Sequence, residues 1–253
     1  MSGGFSDHFA TVAGHYADSR PRYPDALFDW LAAQCAQRDL AWDCGAGSGQ
    51  ASIALASRFA RVIATDASAA QIAQAQPDPR VEYRVAPAER STLEDAGVDL
   101  VIVAQALHWF DLERFYAEVR RVLRPGGVIA AWSYGVLAVE GAAVDAAVQR
   151  FYHDDVGPYW PPERRHVESA YRDLPFPFER VAAPAFAMGL RWNLAQLLGY
   201  FRSWSATARY VEQRGEDPVA RLEPQLAACW GDAERTREIR WPLALLAGRC
   251  TTP

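Results

Sequence analysis

The stretch Trp42–Gln50, WDCGAGSGQ, places glycines at positions 45, 47 and 49 just behind an aspartate, Asp43. Glycines at that spacing suit a tight turn from a strand into a helix, with the backbone able to approach a ligand closely. Beyond the turn, QASIALASRF (50–59) is alanine-rich and favours helix, and RVIATD (61–66) is a β-branched strand ending in a second aspartate. Strand, glycine turn, helix and strand make one βαβ unit, and that unit sets the fold class.

The alternation continues on both sides. Upstream, PDALFDWLAAQCAQ puts Leu27, Trp30, Leu31 and Cys35 on one helical face, with Pro24 and Asp25 suited to its start. Downstream come helix AAQIAQAQ stopped by Pro77 and Pro79, strands VEYRVA and VDLVIVAQ, helix DLERFYAEVRRVL, turn RPGG and strand VIAAWS. Apolar strands alternating with helices predict a parallel sheet covered on both faces. From about Val139 the rhythm changes to a helical stretch ending at Tyr152, the loop GPYWPPERR and a short helix to Tyr171, read as an insertion. FERVAAPAFAM, NLAQLLGYFRSW with a helix-start box at Asn193 and Gln196, DPVARLEPQLAACW and EIRWPLALLAG are then expected to complete the sheet.

Composition removes whole classes of function. None of the 253 residues is lysine, so all 26 basic residues are arginine, which excludes a P-loop lysine, a Schiff base and a pyridoxal phosphate anchor. Cys35, Cys44, Cys229 and Cys250 are far apart, so neither a metal site nor a disulfide framework is expected. A net charge of -5 with interspersed signs speaks against nucleic acid as a partner and favours a small substrate. No apolar run reaches the ~18 to 20 residues of a membrane span, and the start lacks a basic segment followed by an apolar one. A soluble cytoplasmic protein without a membrane partner is the expectation.

Ligands of open parallel sheets bind at the carboxyl ends of the strands, where the strand order reverses. That rule groups Asp43 to Gly49, Asp66, Ala88 with Glu89, and Gln105 to Trp109. Asp66 lies 21 residues after Gly45, the right reach for a carboxylate that holds both hydroxyls of an adenosine ribose. A dinucleotide fits so far. Its fingerprint, however, wants the third glycine at the position of Gln50, and Asp43 would face a doubly negative pyrophosphate. S-adenosylmethionine carries a cationic ammonium and sulfonium and no phosphate, so Asp43 becomes an attraction.

With these motifs in order, the chain resembles the class I S-adenosylmethionine-dependent methyltransferases of the type 11 domain. DCGAGSG, ATDAS, APAE and RPGG look like four of their motifs, over about residues 40 to 135. HYADSRPRYP, AQALHWFD and YFRSWSATARY look like the trans-aconitate methyltransferase-like subgroup, in which an amino-terminal segment closes over the cofactor. The resemblance implies a Rossmann-like, doubly wound, seven-stranded and mostly parallel sheet, with a helical insertion before the sixth strand. A single domain would divide into an amino-terminal lid and helix (1–38), a cofactor-binding core (39–135), the insertion (136–175) and carboxyl-terminal strands and helices (176–253).

It also implies roles. Tyr16 and Arg20 would belong to the lid, the arginine on the cofactor's carboxylate, with Asp43, Gly45, Ala46, Gly47, Gly49, Asp66, Ala67, Ala88, Glu89 and Gln105 holding S-adenosylmethionine and its product S-adenosylhomocysteine. His108 would orient or deprotonate a small-molecule acceptor, and Trp109, Trp132 and Tyr134 would line its pocket. Structural alternatives stand beside these roles. Asp66 can cap a helix, Glu89 can be solvated while the backbone near Ala88 meets the adenine, His108 can bond to backbone, and the three aromatics can be core or rim. A carboxylic acid acceptor is already ionised and needs no base, whereas a hydroxyl or amine makes His108 useful. An NAD-dependent oxidoreductase and a non-catalytic S-adenosylmethionine sensor are the alternative functions.

Overall fold

The computed structural model describes residues 21–250. They form two compact units, one comprising Tyr23–Tyr134, Arg165–Phe186 and 243–250, the other comprising 21–22, Gly135–Arg164 and Ala187–Pro242.

The first unit is built on the expected βαβ series: α1 (Asp25–Gln34), β1 (Leu40–Cys44), α2 (Gln50–Ala56), β2 (Arg61–Asp66), α3 (Ala69–Ile72), β3 (Val81–Val85), β4 (Val98–Ala104), α4 (Leu112–Val122) and β5 (Leu123–Ser133). The five strands run parallel in the order β3, β2, β1, β4, β5, so the order reverses between β1 and β4. Alternate residues of β4 explain why both faces are covered. Val101 and Val103 pack with Trp42, Ile129 and the α4 residues Phe115, Val119 and Val122. Leu100 and Ile102 pack on the other face with Ala41, Val128, Leu27 and Leu31 of α1, and Leu55 of α2. The α1 stripe holds at Leu27 and Leu31, while Phe28 is buried where Trp30 and Cys35 are only partly so.

Local chemistry sets the element ends. Asp111 caps α4 by accepting from the Arg114 N–H, and Asp99, buried at the far edge of the sheet, accepts the N–H groups of Asp39 and Leu40 and the Arg124 guanidinium. The helix expected over AAQIAQAQ ends at Ile72 because none of its residues is buried, and a short helix without packing is marginal. RPGG is not a separate turn; it lies inside β5 as an irregularity, the register to β4 jumping from Val98↔Leu123 to Leu100↔Val128.

The seven-stranded sheet is present, and its last two members are short or divided. β7 (Glu179–Arg180) is only the start of FERVAAPAFAM, and β10 (Ala244–Arg249) only the end of EIRWPLALLAG. β10 lies antiparallel between β5 and β7, which completes the order β3, β2, β1, β4, β5, β10, β7.

The remaining pieces correct the expected division of the chain. β8 (Ala187–Trp192) and β9 (Arg237–Pro242) pair with β6 (Ala138–Val139) in a separate three-stranded antiparallel sheet of the second unit. That unit also carries α5 (Ala142–Arg150), α7 (Leu194–Arg202), α8 (Ser205–Arg214) and α9 (Pro218–Trp230), while α6 (Arg164–Glu168) spans the boundary. Most of 187–242 therefore leaves the main sheet instead of completing it. Burial tells the two strands apart: β9 alternates strictly between buried and exposed, as a sheet with one wet face requires, whereas β10 buries three consecutive residues. The Asn193–Gln196 capping box is formed, each side chain accepting from the other residue's backbone N–H at 3.0 and 2.9 Å.

The glycine turn rests on left-handed backbone. Gly45 has φ +71° and a Cβ there would lie 2.6 Å from the Ala106 Cβ, whereas Gly47, at φ +56°, has open space with Gln71 nearest at 3.8 Å. Gly47→Ala should therefore cost about 1 kcal/mol from backbone strain alone, and Gly45→Ala distinctly more. Urea denaturation of both variants checks the order; equal losses would contradict the close approach of Ala106.

Candidate active site

The turn after β1 is held by its neighbour strand. The N–H groups of Gly45 and Ala46 both donate to the Thr65 carbonyl, at 2.8 and 3.0 Å, and the Gly49 N–H closes back on the Ala46 carbonyl. Asp66, at the end of β2, accepts the Gly47 N–H on Oδ2 and the Ser68 N–H on Oδ1, both at 2.8 Å. Ser68, not Asp66, caps α3. Among the described residues each Asp66 oxygen thus has one donor, which leaves it a second acceptor site. Ala67 beside it is exposed.

Asp43 lies beneath the turn, fully buried, and not at its mouth. Oδ2 accepts the Ser52 hydroxyl of α2 at 2.6 Å, and Oδ1 has no hydrogen-bond partner among the described residues. Burial pushes the carboxyl up to about 7, and repulsion from Asp66 adds to this against the lowering by Ser52.

The segment after β3 is clamped. Ala86 N–H donates to the Asp66 carbonyl, and Glu118 of α4 accepts both the N–H and the hydroxyl of Ser91. Burial opposes the Glu118 charge, but Arg121 and Ser91 outweigh it and bring the carboxyl down to about 2. Between these anchors Ala88 is buried, and Glu89 accepts the Asp111 N–H at 3.0 Å. Glu89 has a structural duty at the start of α4.

At the end of β4, Gln105 adopts a left-handed φ of +57°, uncommon for a residue with a side chain. Its N–H donates to the Trp132 carbonyl and its Nε2 to the Tyr134 carbonyl, both at 2.9 Å, while the buried Oε1 has no partner among the described residues. Ser133, at the end of β5, is fully buried, and its hydroxyl likewise has no partner among the described residues. Asp43, Gln105 and Ser133 thus bring three unmatched polar atoms to the carboxyl ends of three adjacent strands.

His108 sits in a short 3₁₀ turn after β4, with Nδ1 2.9 Å from the Tyr171 hydroxyl. Tyr171 is fully buried and, with Ala170, forms two successive left-handed residues at φ +58° and +55°. Strain of that kind persists where surrounding structure imposes it. Its ring lies 5.8 Å from that of His108. The three aromatics expected to line the acceptor's pocket have different surroundings. Trp132 is fully buried in the core against Tyr23 and Phe28. Trp109 is 42% exposed beside His108, and Tyr134 is half-buried near Tyr23. Tyr16 and Arg20 lie outside the described residues.

Ser52, Ser133, Tyr171 and Tyr23 were not singled out in the sequence. Ser52 is one polar residue in an alanine-rich helix, and Tyr171 is more than 60 residues from His108, so neither carries a local signal. Among the described residues no cluster of three or more His, Cys, Asp or Glu could hold a metal, and no helix is long and apolar enough to cross a membrane. All four cysteines are free and buried or half-buried.

Comparison with known proteins supplies the context. A family model described as a methyltransferase domain matches residues 42–131. A methyltransferase-family protein of Dictyostelium discoideum is 34% identical over 97% of this chain and 95% of its own length. The methyltransferase CfoB of Aspergillus candidus is 31% identical over 92% of this chain and 82% of its own. The solved structure of a type II methyltransferase-family protein from Anaeromyxobacter dehalogenans superposes with a TM-score of 0.88 at 52% identity, covering 92% of this chain and 99% of that one.

The Asp43 carboxyl gives a signed prediction. Because its folded value of about 7 exceeds the ordinary 3.8, the folded protein keeps this proton to higher pH than the unfolded chain. The stability it contributes is full below about pH 4 and is lost as pH rises through about 7. Asp43→Asn should remove that slope, so the variant gains on the parent across this window in urea denaturation. A difference independent of pH would rule out the buried, neutral-leaning carboxyl.

Proposed function

Because the chain belongs to the class I S-adenosylmethionine-dependent methyltransferases, we propose that the carboxyl edge of its parallel sheet binds S-adenosylmethionine and serves methyl transfer to a small-molecule acceptor, a carboxylic acid by preference. The observation that carries the reading is the set of unmatched buried atoms, Asp43 Oδ1, Gln105 Oε1 and Ser133 Oγ, at the ends of β1, β4 and β5. Buried polar groups are almost always satisfied, so three atoms without a partner among the described residues, at and beside the reversal of strand order, support a polar ligand there.

The residues present fit that cofactor. Asp43, half ionised near neutral pH, becomes a full carboxylate when a cation lies close to it, and the cation gains from the low local dielectric. Asp66 has acceptor capacity left for ribose hydroxyls. The backbone of Gly45, Ala46, Gly47 and Gly49 lines the turn, with Ala67 and the backbone around Ala88 flanking the adenosine, and Gln105 completing the floor. Tyr16 and Arg20 remain part of this proposal as a lid. When bound, the cofactor supplies an electrophilic methyl group on a sulfonium and leaves as S-adenosylhomocysteine.

The chain's own contribution is to bind, align and exclude water. An anionic nucleophile meeting a sulfonium loses charge on the way to the transition state, so the gain comes from alignment and desolvation more than from an oxyanion hole. A carboxylate acceptor is ionised at neutral pH and requires no general base. His108, whose Nδ1 is engaged by Tyr171, then orients the acceptor, with Trp109 and Tyr134 beside it. The four free thiols suit a reducing cytoplasmic setting.

Calorimetric titration with S-adenosylmethionine, S-adenosylhomocysteine and NAD tests the cofactor. The first two should bind, NAD should not, and Asp66→Ala should lose about tenfold or more, as expected when hydrogen bonds to a charged group are removed. Binding of NAD alone would overturn the assignment. For the acceptor side, His108→Ala should lower turnover with little change in cofactor affinity, and Tyr171→Phe should shift the pH profile of turnover. Parallel loss of turnover and cofactor affinity in His108→Ala would remove His108 from the acceptor side.

A further inference from the structure

Among the described residues β3 is an edge of the seven-stranded sheet, paired with β2 on one side only. The Val62 N–H donates to the Arg80 carbonyl and the Ala86 N–H to the Asp66 carbonyl, which fixes the even-numbered residues as those bonding to β2. With the two-residue period of a strand, Tyr83 and Val85 then direct both N–H and carbonyl outward. The Val81 N–H turns back to the Asp78 carbonyl at 3.0 Å, so that residue offers its carbonyl alone. Val85 is 58% exposed. Such an edge is a template for another strand.

Charge decides which strand fits. Glu82 and Arg84 share one face, joined at 2.7 Å, and Arg61 of β2 also pairs with Glu82. An antiparallel copy of β3 centred on Tyr83 sets Glu82 opposite the partner's Arg84 and Arg84 opposite the partner's Glu82, with valine opposite valine. Both charged pairs fall at non-hydrogen-bonded positions, where facing side chains are closest. The two Tyr83 residues exchange their main-chain bonds, and each Val85 N–H meets the partner's Val81 carbonyl. Sliding the copy by two residues, the smallest step that keeps the bonding pattern, sets Glu82 against the partner's Glu82 or Arg84 against the partner's Arg84. Charges on an edge strand ordinarily deter pairing; here they deter the neighbouring registers and favour one.

The surface beside the strand suits the same contact. α3 lies next to β3, none of its residues is buried, and residues 67–77 carry no charge. Depletion of charge marks the centre of protein interfaces. We propose that β3 and α3 form the contact surface of a symmetric dimer, in which two copies of this chain join their sheets antiparallel about Tyr83. Five strand residues a side bury less than the ~1,200 Å² of a stable complex, so the dimer is reversible. The inference concerns assembly and stands independently of the cofactor reading.

Sedimentation velocity of the full chain, from low to high micromolar concentration, tests the surface. The parent should pass from monomer to dimer across that range. Glu82→Arg and Arg84→Glu each set like charges opposite one another at both symmetry-related pairs, so either should weaken association about tenfold or more. Mixed in equal amounts, the two variants are complementary and should associate as the parent does, which also shows that both remain folded. Val85→Pro removes an outward donor and spares the ladder to β2, so it should weaken the dimer while the circular dichroism of the monomer is kept. A parent that stays monomeric at the highest concentration, a dimer unchanged in the charge variants or in Val85→Pro, or a mixture that fails to associate would overturn the proposal.

Discussion

A buried carboxylate at the end of β1 is the constraint on which the first unit turns. Asp43 cannot be fully charged where it lies, because burial has raised it to about 7, and it cannot be released, because Ser52 holds one oxygen at 2.6 Å. That bond ties strand to helix across the glycine turn. The turn is tied in its own right to β2 through the Thr65 carbonyl and the Asp66 carboxylate. Strand, turn, helix and neighbouring strand therefore share one polar network, and the backbone of the turn is fixed before any ligand arrives.

Around that network the sheet distributes satisfied and unsatisfied groups unevenly. At the far edge Asp99 is fully engaged by two backbone N–H groups and by Arg124. At the carboxyl edge Asp43, Gln105 and Ser133 each retain an unmatched atom. Stability explains the first edge and not the second. A left-handed Gln105 and the left-handed pair Ala170–Tyr171, which meets His108, add backbone strain on the same side.

The second unit uses other physics. β9 of its three-stranded sheet buries one face only, and in its ring cluster Arg164 is stacked and forms no ion pair among the described residues.

The sequence by itself determined the parallel core and which loops gather at its carboxyl edge. Glycine spacing, strand-end aspartates and the alternation of apolar strands with helices are local properties, and each depends on residues close together in the chain. Tertiary structure alone decided the rest. That Asp43 is buried, that Glu89 serves the start of α4, that Trp132 belongs to the core and that Tyr171 meets His108 all follow from packing between distant segments. The same holds for the chain's departure between Phe186 and Ala187 and its return at Leu243. FERVAAPAFAM and EIRWPLALLAG each read as one strand, yet each is shared between two sheets. Pairing partners settle that division, and a run of apolar residues carries no record of the strand it will meet.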